Sequence, residues 1–534
     1  MTNNNHSKSR FRKFSIPHSQ FLIVLLLLLP TLAFSARMYN PFVWTTYRDF
    51  SYITSITANM QRVYFGTENG ILRYNRLLKQ WEEPITKSNG FPGMSARVVA
   101  FDKMFRKLWI AYENGLVVYN PDISHWEREI SRTSIPLSSI TSIGFTQDSV
   151  YLENNGLFAV SPRGMYNWTR RVGSLPTNIL WSGEKGNIEI ENYTFLTPYY
   201  ATDEYFNKYK YTAGIVDNQD LWLGTEGFDV FHYNVFTWSG THYTVGLAGN
   251  RVDAIYKDEN EYWIGGIQTN GITRINFLTG EGSHYRSEDI FRLDSHEINA
   301  ITGDERNIWF GTREGLVQYG MDENQWDEFT QFDGLPHNNV ISLQRKDDTL
   351  FIGTEDGLAY LLPGAEDPIS IDEFSDIAIH AFGIFEGDLV ICTDEGVFLR
   401  KGDSIKTITD PDGDFSFGVT AVFVDSTTLW FGTRRNGVDV YSTDSLEWKE
   451  YLSPTPLAGE WVYDIKGNKG FIWIATDQGV SRYNKKTDSW YSFDESDGLA
   501  HYEVHTIFTE DDYVWFGTKN GLTRFKYRDY SVPQ

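Results

Sequence analysis

The sequence predicts an all-β fold, a β-propeller of four-stranded blades, and three observations carry that prediction. The pattern VWFGTKNGLTRF at 514–525 returns from one end of the chain to the other. Its copies are spaced by 39–46 residues, with a single interval of 71. Between copies come a recurrent Trp and a short apolar run, which supply two further strands. A period of about 40–45 residues with four strands per unit is the signature of propeller blades, none of which can bury both its faces alone.

Each copy reads as strand, tight turn, strand. In VYFGTENGILRY, residues 63–67 are β-branched and aromatic, Asn69-Gly70 offers the positive φ of a primed turn, and residues 71–74 resume the strand. The copies are centred at Tyr64, Trp109, Tyr151, Trp222, Trp263, Trp309, Phe351, Val390, Trp430, Trp473 and Trp515, which gives about 11–12 repeats. Outer strands are marked by Trp81, Trp126, Trp168, Trp238, Trp326, Trp448 and Trp490, with Tyr285 as the stand-in in one repeat. Innermost strands are marked by runs such as VDAI at 252–255 and INAI at 298–301, whose small and apolar alternation suits a crowded centre.

The two ends of the chain complement each other. Residues 42–47 look like an outer strand with no hairpin before it, and the hairpin ending at Phe525 lacks the Trp expected after it. The terminal strands are therefore expected to share one sheet and close a ring. Eleven hairpins exceed the four to eight blades usual in one propeller, so two propellers are expected, with the chain beginning one, building the second and returning. A single ring of eleven or twelve blades is the alternative. The long interval holds an insertion around 181–210, about 29 residues beyond one repeat, read as an extra hairpin or a crossover between rings, with a degraded blade as the alternative. Its aromatics Tyr199, Tyr200, Tyr205, Phe206, Tyr209 and Tyr211 are expected to be buried between the propellers, with an exposed ligand platform as the alternative.

Residues 1–35 have the form of an export signal: Lys8, Arg10, Arg12 and Lys13, then an apolar run from Phe21 to Leu29, then Ala33-Phe34-Ser35 before the cleavage point. The propeller region is then 36–534. Its apolar run is shorter than the roughly 20 residues needed to span a bilayer, so no stable membrane span is expected after cleavage, and the address is periplasmic, outer-surface or secreted. Beyond residue 35 the chain carries 43 basic and 71 acidic residues, a net charge of −28. That balance excludes nucleic acid as a partner and suits solubility or a cationic partner. Cys392 is the single cysteine, so no intrachain disulfide forms, and it occupies a motif Gly position in a strand expected to be buried.

Turns such as DGLP at 333–336 and NGFP at 89–92 link outer strands to the next inner strand. In an up-and-down blade they emerge on the same face as the central hairpin turns. Those turns carry Glu68, Glu113, Glu226, Glu314, Glu355, Asp394 and Asp477, which makes these residues the candidates for a ligand-binding face.

WFGT-x-x-GL with a following Tyr, a later Trp and DGLP loops resembles the two-component regulator propeller repeat, over nearly all of the chain beyond the signal. The resemblance implies paired propellers that serve as extracytoplasmic sensors of glycan fragments in hybrid histidine kinases, or a propeller subunit of the type IX secretion apparatus. The chain has no kinase region after the repeats, so signalling would need a separately encoded sensor kinase or an envelope complex.

Chemistry is sparse. His501, Glu503 and His505 fall on one face of an inner strand, which permits a channel-lining cluster but lacks zincin spacing. Asp410, Asp412 and Asp414 alternate as in a calcium loop without its later Glu, so calcium is the single cofactor left open and none is otherwise expected. No catalytic or metal residue is assigned. Two readings follow: a non-catalytic exported propeller that binds a protein or glycan, which is favoured, and a polysaccharide hydrolase or lyase with its site at a propeller centre. Charges gathered within contact distance on a ring axis would favour the enzyme, and isolated polar residues would favour binding.

Overall fold

The computed structural model describes residues 43–529 apart from 289, 291–292, 403, 411–414 and 416–417. The export signal read in 1–35 and most of the calcium-like loop at 410–414 lie outside the described residues. Eleven antiparallel sheets follow one another along the described chain, and their inner strands neighbour one another in two closed sets.

The smaller ring has four blades, whose first strands are Ile53–Ala58, Ala96–Asp102, Ser142–Phe145 and Lys208–Asp217. The larger has seven, opening with Ala254–Asp258, Ile298–Gly303, Val340–Lys346, Ile379–Phe385, Val419–Asp425, Val462–Gly467 and Val504–Thr509, the last of which returns to the first. Trp44–Tyr47 pairs with Gly521–Phe525 in the register Trp44↔Phe525 to Tyr47↔Leu522 and supplies the outer strand of the final blade. The chain thus opens in the seven-bladed ring, builds the four-bladed one, and returns at residues 244–253.

The insertion does not cross between rings. Leu180–Gly183 adds to the inner edge beside Ser142–Phe145, and Tyr200–Thr202 pairs with the start of Lys208–Asp217, so two of the four blades have five strands. Between them the Ile188 amide donates to the Gly214 carbonyl at 3.2 Å, which bridges the third and fourth blades. A Cβ at Gly214 would stand 2.9 Å from Ile188, so the narrow ring needs a glycine there. Tyr199, Tyr205 and Phe206 are exposed, not buried between propellers as expected. They sit on the looped part of the insertion, where Asp203 orders the turn by accepting from the amides of Tyr205 and Asn207.

The Gly-Thr motif has a direct physical role. The Thr67 hydroxyl donates to the Gly70 carbonyl at 2.9 Å and accepts from the Asn69 amide at 3.1 Å; Thr312, Thr393, Thr476 and Thr518 repeat both bonds, and Thr354 repeats the donation. The positive φ expected of a primed turn falls on Gly70 alone, at 137°, and Asn69 has none. The hydroxyl bridge replaces the mirror-image turn geometry as the device that fixes the hairpin.

Apolar clusters lie between successive blades. One joins Trp44, Trp473, Phe493, Phe516 and Phe525 across the closing seam, and another joins Phe65, Tyr74, Trp81 and Trp222. Most of the marker tryptophans fall on outer strands, but Trp168 precedes Thr169–Arg171, and Trp238 lies in a turn at φ 62°, stacked on Phe195 and largely exposed. Charge divides with the rings. Residues 51–243 hold 17 basic and 19 acidic side chains, whereas 36–50 and 244–534 together hold 26 and 52, or −26.

Candidate functional site

Six of the seven inner strands of the larger ring begin with a buried Val or Ile followed by a residue that the ladder skips. Pairing jumps from Ile298 to Ala300, Val340 to Ser342, Ile379 to Ala381, Val419 to Ala421, Val462 to Asp464 and Val504 to Thr506. These are β-bulges, which re-aim one side chain where a strand starts. The skipped residues Asn299, Ile341, His380, Thr420, Tyr463 and His505, with Asp253 at the same place in the first blade, line a central cavity of about 490 Å³.

At the closing seam the polar residues meet. Arg251 Nε donates to Asp253 Oδ2 at 2.9 Å, and Asp253 Oδ2 also accepts from the Ile267 amide at 2.9 Å. Asp253 Oδ1 lies 3.3 Å from His505 Nδ1, His505 Nε2 lies 3.3 Å from Glu503 Oε1, and Lys519 Nζ donates to Glu503 Oε2 at 2.9 Å. The Nε2 to Glu503 contact lacks hydrogen-bond alignment, so that nitrogen is buried with its donor capacity unused. The row Arg251, Asp253, His505, Glu503, Lys519 sets the imidazole between two cation–carboxylate pairs.

Burial pushes the His505 imidazole below its ordinary value, against the pull of Asp253. For Glu503 burial alone would act upward, but the Lys519 bond and His505 bring the net shift down. Tyr463, whose ring centroid is 4.8 Å from that of His505, is pushed up to about 12 by burial and then by Glu503. On the opposite side of the mouth His380 Nε2 stands 2.8 Å from Asp394 Oδ1 and 2.9 Å from Arg434 Nη2, and burial lowers it as well.

Aromatic surface rims the same opening. Trp461 is 41 % exposed and stacks on Tyr463 with centroids 5.3 Å apart, while Tyr502 is exposed and stacks on His501 at 4.2 Å. His501 Nδ1 accepts from the Glu503 amide at 3.0 Å and does not join His505, so two of the three residues of that strand face come together. Among the described residues no group of three or more His, Cys, Asp or Glu side chains is arranged to hold a metal.

The seven hairpin-turn acids divide between the rings: Glu68, Glu113 and Glu226 on the smaller, Glu314, Glu355, Asp394 and Asp477 on the larger. Glu68, Glu226 and Glu314 are exposed. Glu113 accepts from the Met94 amide at 2.6 Å, Glu355 from Asn339 Nδ2 at 2.9 Å, and Asp477 from the Trp461 amide at 3.3 Å. These bonds put hairpin turns and interblade loops on one face, and they bind three of the acids to their own loops. Asp394 reaches the lining of the central opening through His380. Apart from His505, the bulge residues and Trp461 were not singled out from the sequence, although the position after the buried Val or Ile in these inner strands is a repeat-aligned signal for them.

No family model matches the sequence. A curated relative, Histidine kinase P4 of Formosa agariphila, is 28% identical over 315 residues, covering 47% of this chain, and this chain spans 23% of that relative's length. The solved structure of PorZ, an essential surface component of the type-IX secretion system of Porphyromonas gingivalis, superposes with a TM-score of 0.53 at 10% identity, over 91% of this chain and 87% of PorZ. The extracellular domain of the hybrid two-component system BT3049 of B. thetaiotaomicron matches with a TM-score of 0.45 at 16% identity, over 89% of this chain and 68% of that one. The likeness shows the fold, a β-propeller of four-stranded blades. That statement concerns architecture: the repeat unit, its Thr-capped hairpin and the closed rings.

Proposed function

We infer that this chain is an exported, non-catalytic propeller protein that binds a glycan fragment at the mouth of the seven-bladed ring. The observation that carries the reading is the exposed Trp461 stacked on Tyr463 beside a row of mutually neutralised charges. An indole face and its neighbouring ring offer an apolar platform to the C–H face of a sugar, and the Arg251–Asp253 and Lys519–Glu503 pairs offer donors and acceptors without net charge. The resemblance to sensor propellers supports an envelope address and a partner that transmits the signal, such as a separately encoded sensor kinase. The test is a thermal-shift screen of the purified protein with oligosaccharides, repeated on Trp461→Ala. Saturable stabilisation by one sugar class that the variant loses supports the reading. Stabilisation by no sugar, with capture of an envelope protein, would replace the glycan by a protein ligand.

A second reading, a polysaccharide hydrolase or lyase, is favoured by the contact of Asp253, His505 and Tyr463 on the ring axis. Against it, Glu503 is held low, whereas a general acid needs a raised carboxyl. Glu328, pushed up to about 7 by burial and then by Asp294, lies on the outer strand Gln325–Phe329, away from the mouth. Cleavage of a sugar that stabilises the protein, abolished in His505→Ala, would establish the enzyme.

A further inference from the structure

The four-bladed ring presents, on the face opposite the hairpin turns, a crown of exposed apolar side chains. The face is stitched together within each blade. The Arg76 amide donates to the Gln61 carbonyl, Arg106 Nη2 to Asp122, the Arg163 amide to the Asp148 carbonyl and the Val235 amide to the Gln219 carbonyl, each at 2.9–3.0 Å. It is also stitched between blades: Arg76 pairs with Asp217 and Asp220, and Arg163 with Asp102. On this braced surface Met60 (91 % exposed), Leu77 (75 %), Phe105 (50 %), Ile123 (66 %), Met165 (72 %) and Phe236 (77 %) project from the turns of all four blades. Turns are normally polar, and a ring of tips of this kind marks a surface that meets another phase or partner.

The seven-bladed ring supplies the internal control. Four of its seven inner-hairpin turns on that side carry Asp258-Glu259, Asp304-Glu305, Asp347-Asp348 and Asp511-Asp512, its outer-hairpin turns bear exposed Leu278, Leu362 and Leu446 in three blades of seven, and that ring with its terminal segments holds the net −26. The four-bladed ring is nearly balanced; Lys103 lines a groove with Met60 and Leu77, the exposed Lys79 follows Leu77 by two residues in the same turn, and neither lysine has an acidic partner among the described residues. We propose that this face of the four-bladed ring docks peripherally on an anionic lipid bilayer, the apolar tips entering the headgroup boundary and the lysines meeting lipid phosphates. Separate protruding alkyl and phenyl groups on a rigid base suit entry into a fluid interface, and the flanking lysines complement its charge. The acidic ring is then repelled from the same surface, which orients the molecule.

The experiment is sedimentation of the purified full chain with phosphatidylcholine vesicles made with and without phosphatidylglycerol. The expected result is binding that requires the anionic lipid and weakens with salt, and that falls at least about tenfold in Leu77→Ser/Phe105→Ser while Leu278→Ser/Leu446→Ser on the other ring leaves it unchanged. Circular dichroism and the thermal midpoint of the variants confirm that they fold. Equal binding by both double variants, or no binding to either vesicle, overturns the proposal. A concentration-dependent dimer broken by Leu77→Ser/Phe105→Ser, without vesicle binding, also overturns it and assigns the face to a second copy.

Discussion

Trp44 lies flat on Phe525, with ring centroids 4.0 Å apart and planes 9° from parallel, and so joins the first described strand to the last. The same indole meets Phe493 edge-on at 5.7 Å and is 1 % exposed. Trp44→Ala removes a closing contact as well as a core side chain, and is expected to lower unfolding stability by about 3–5 kcal/mol. Trp44→Phe keeps a ring on Phe525 and should lose less. Thermal and denaturant midpoints check both, and an unchanged midpoint in the alanine variant would mean that the seam is not held there.

Arg163 and Asp102 form the most enclosed ion pair of the smaller ring, with side chains 9 % and 2 % exposed. Asp102 Oδ1 also accepts from the Met104 and Phe105 amides at 3.0 and 3.2 Å. Arg163→Met leaves the carboxylate buried without its cation, and a loss of about 3–5 kcal/mol is expected. Adding Asp102→Asn removes the orphaned charge while keeping the amide acceptor, so the double variant should recover part of that loss. A double variant no better than the single one would show that stacking of the Arg163 guanidinium over Phe105 and Phe145 is what matters.

Ring closure was legible in the sequence because Trp44 and Phe525 are each half of a repeat that the period completes. The division into four and seven blades was not, since it depends on where the chain turns back. That is fixed by long-range bonds such as the Asp49 amide to Asn250 Oδ1 at 2.9 Å and the Trp81 amide to the Thr279 carbonyl at 3.2 Å. The site was partly legible. His505 and Glu503 sit together on one strand, but Asp253 and Tyr463 come from other blades, and only the bulge turns them to the axis. Trp238 misled because a Trp after a hairpin marks an outer strand only where the turn before it is regular.

Cys392 occupies a motif Gly position between Ala381 and Val397 across the ladder and is fully buried, which raises its thiol far above the ordinary range. The thiolate is the reactive form, so the native protein should resist alkylation and react at once when unfolded in guanidinium. Mass spectrometry of iodoacetamide-treated samples reads this directly, and rapid native labelling would place the side chain at an accessible surface instead.

The central histidines set an acid limit on stability. His380 and His505 are held below the unfolded value of 6.5 chiefly by burial. Above 6.5 both folded and unfolded chains carry them neutral, and their contribution is fully present. As pH falls through 6.5 toward the lower folded values, the unfolded chain takes up protons that the folded one refuses, so stability drops. The groups facing His505 are Asp253, Glu503, Arg251 and Lys519, and those facing His380 are Asp394 and Arg434. Glu503, lowered from 4.5, loses its own contribution only in a separate, more acidic window. The thermal midpoint is therefore expected to fall between about pH 7 and pH 5, and to fall less in His505→Gln/His380→Gln, whose neutral side chains cannot take up that proton. The difference between the two slopes isolates the histidines from every carboxylate that titrates below them, and parallel slopes would mean that their burial does not govern acid sensitivity.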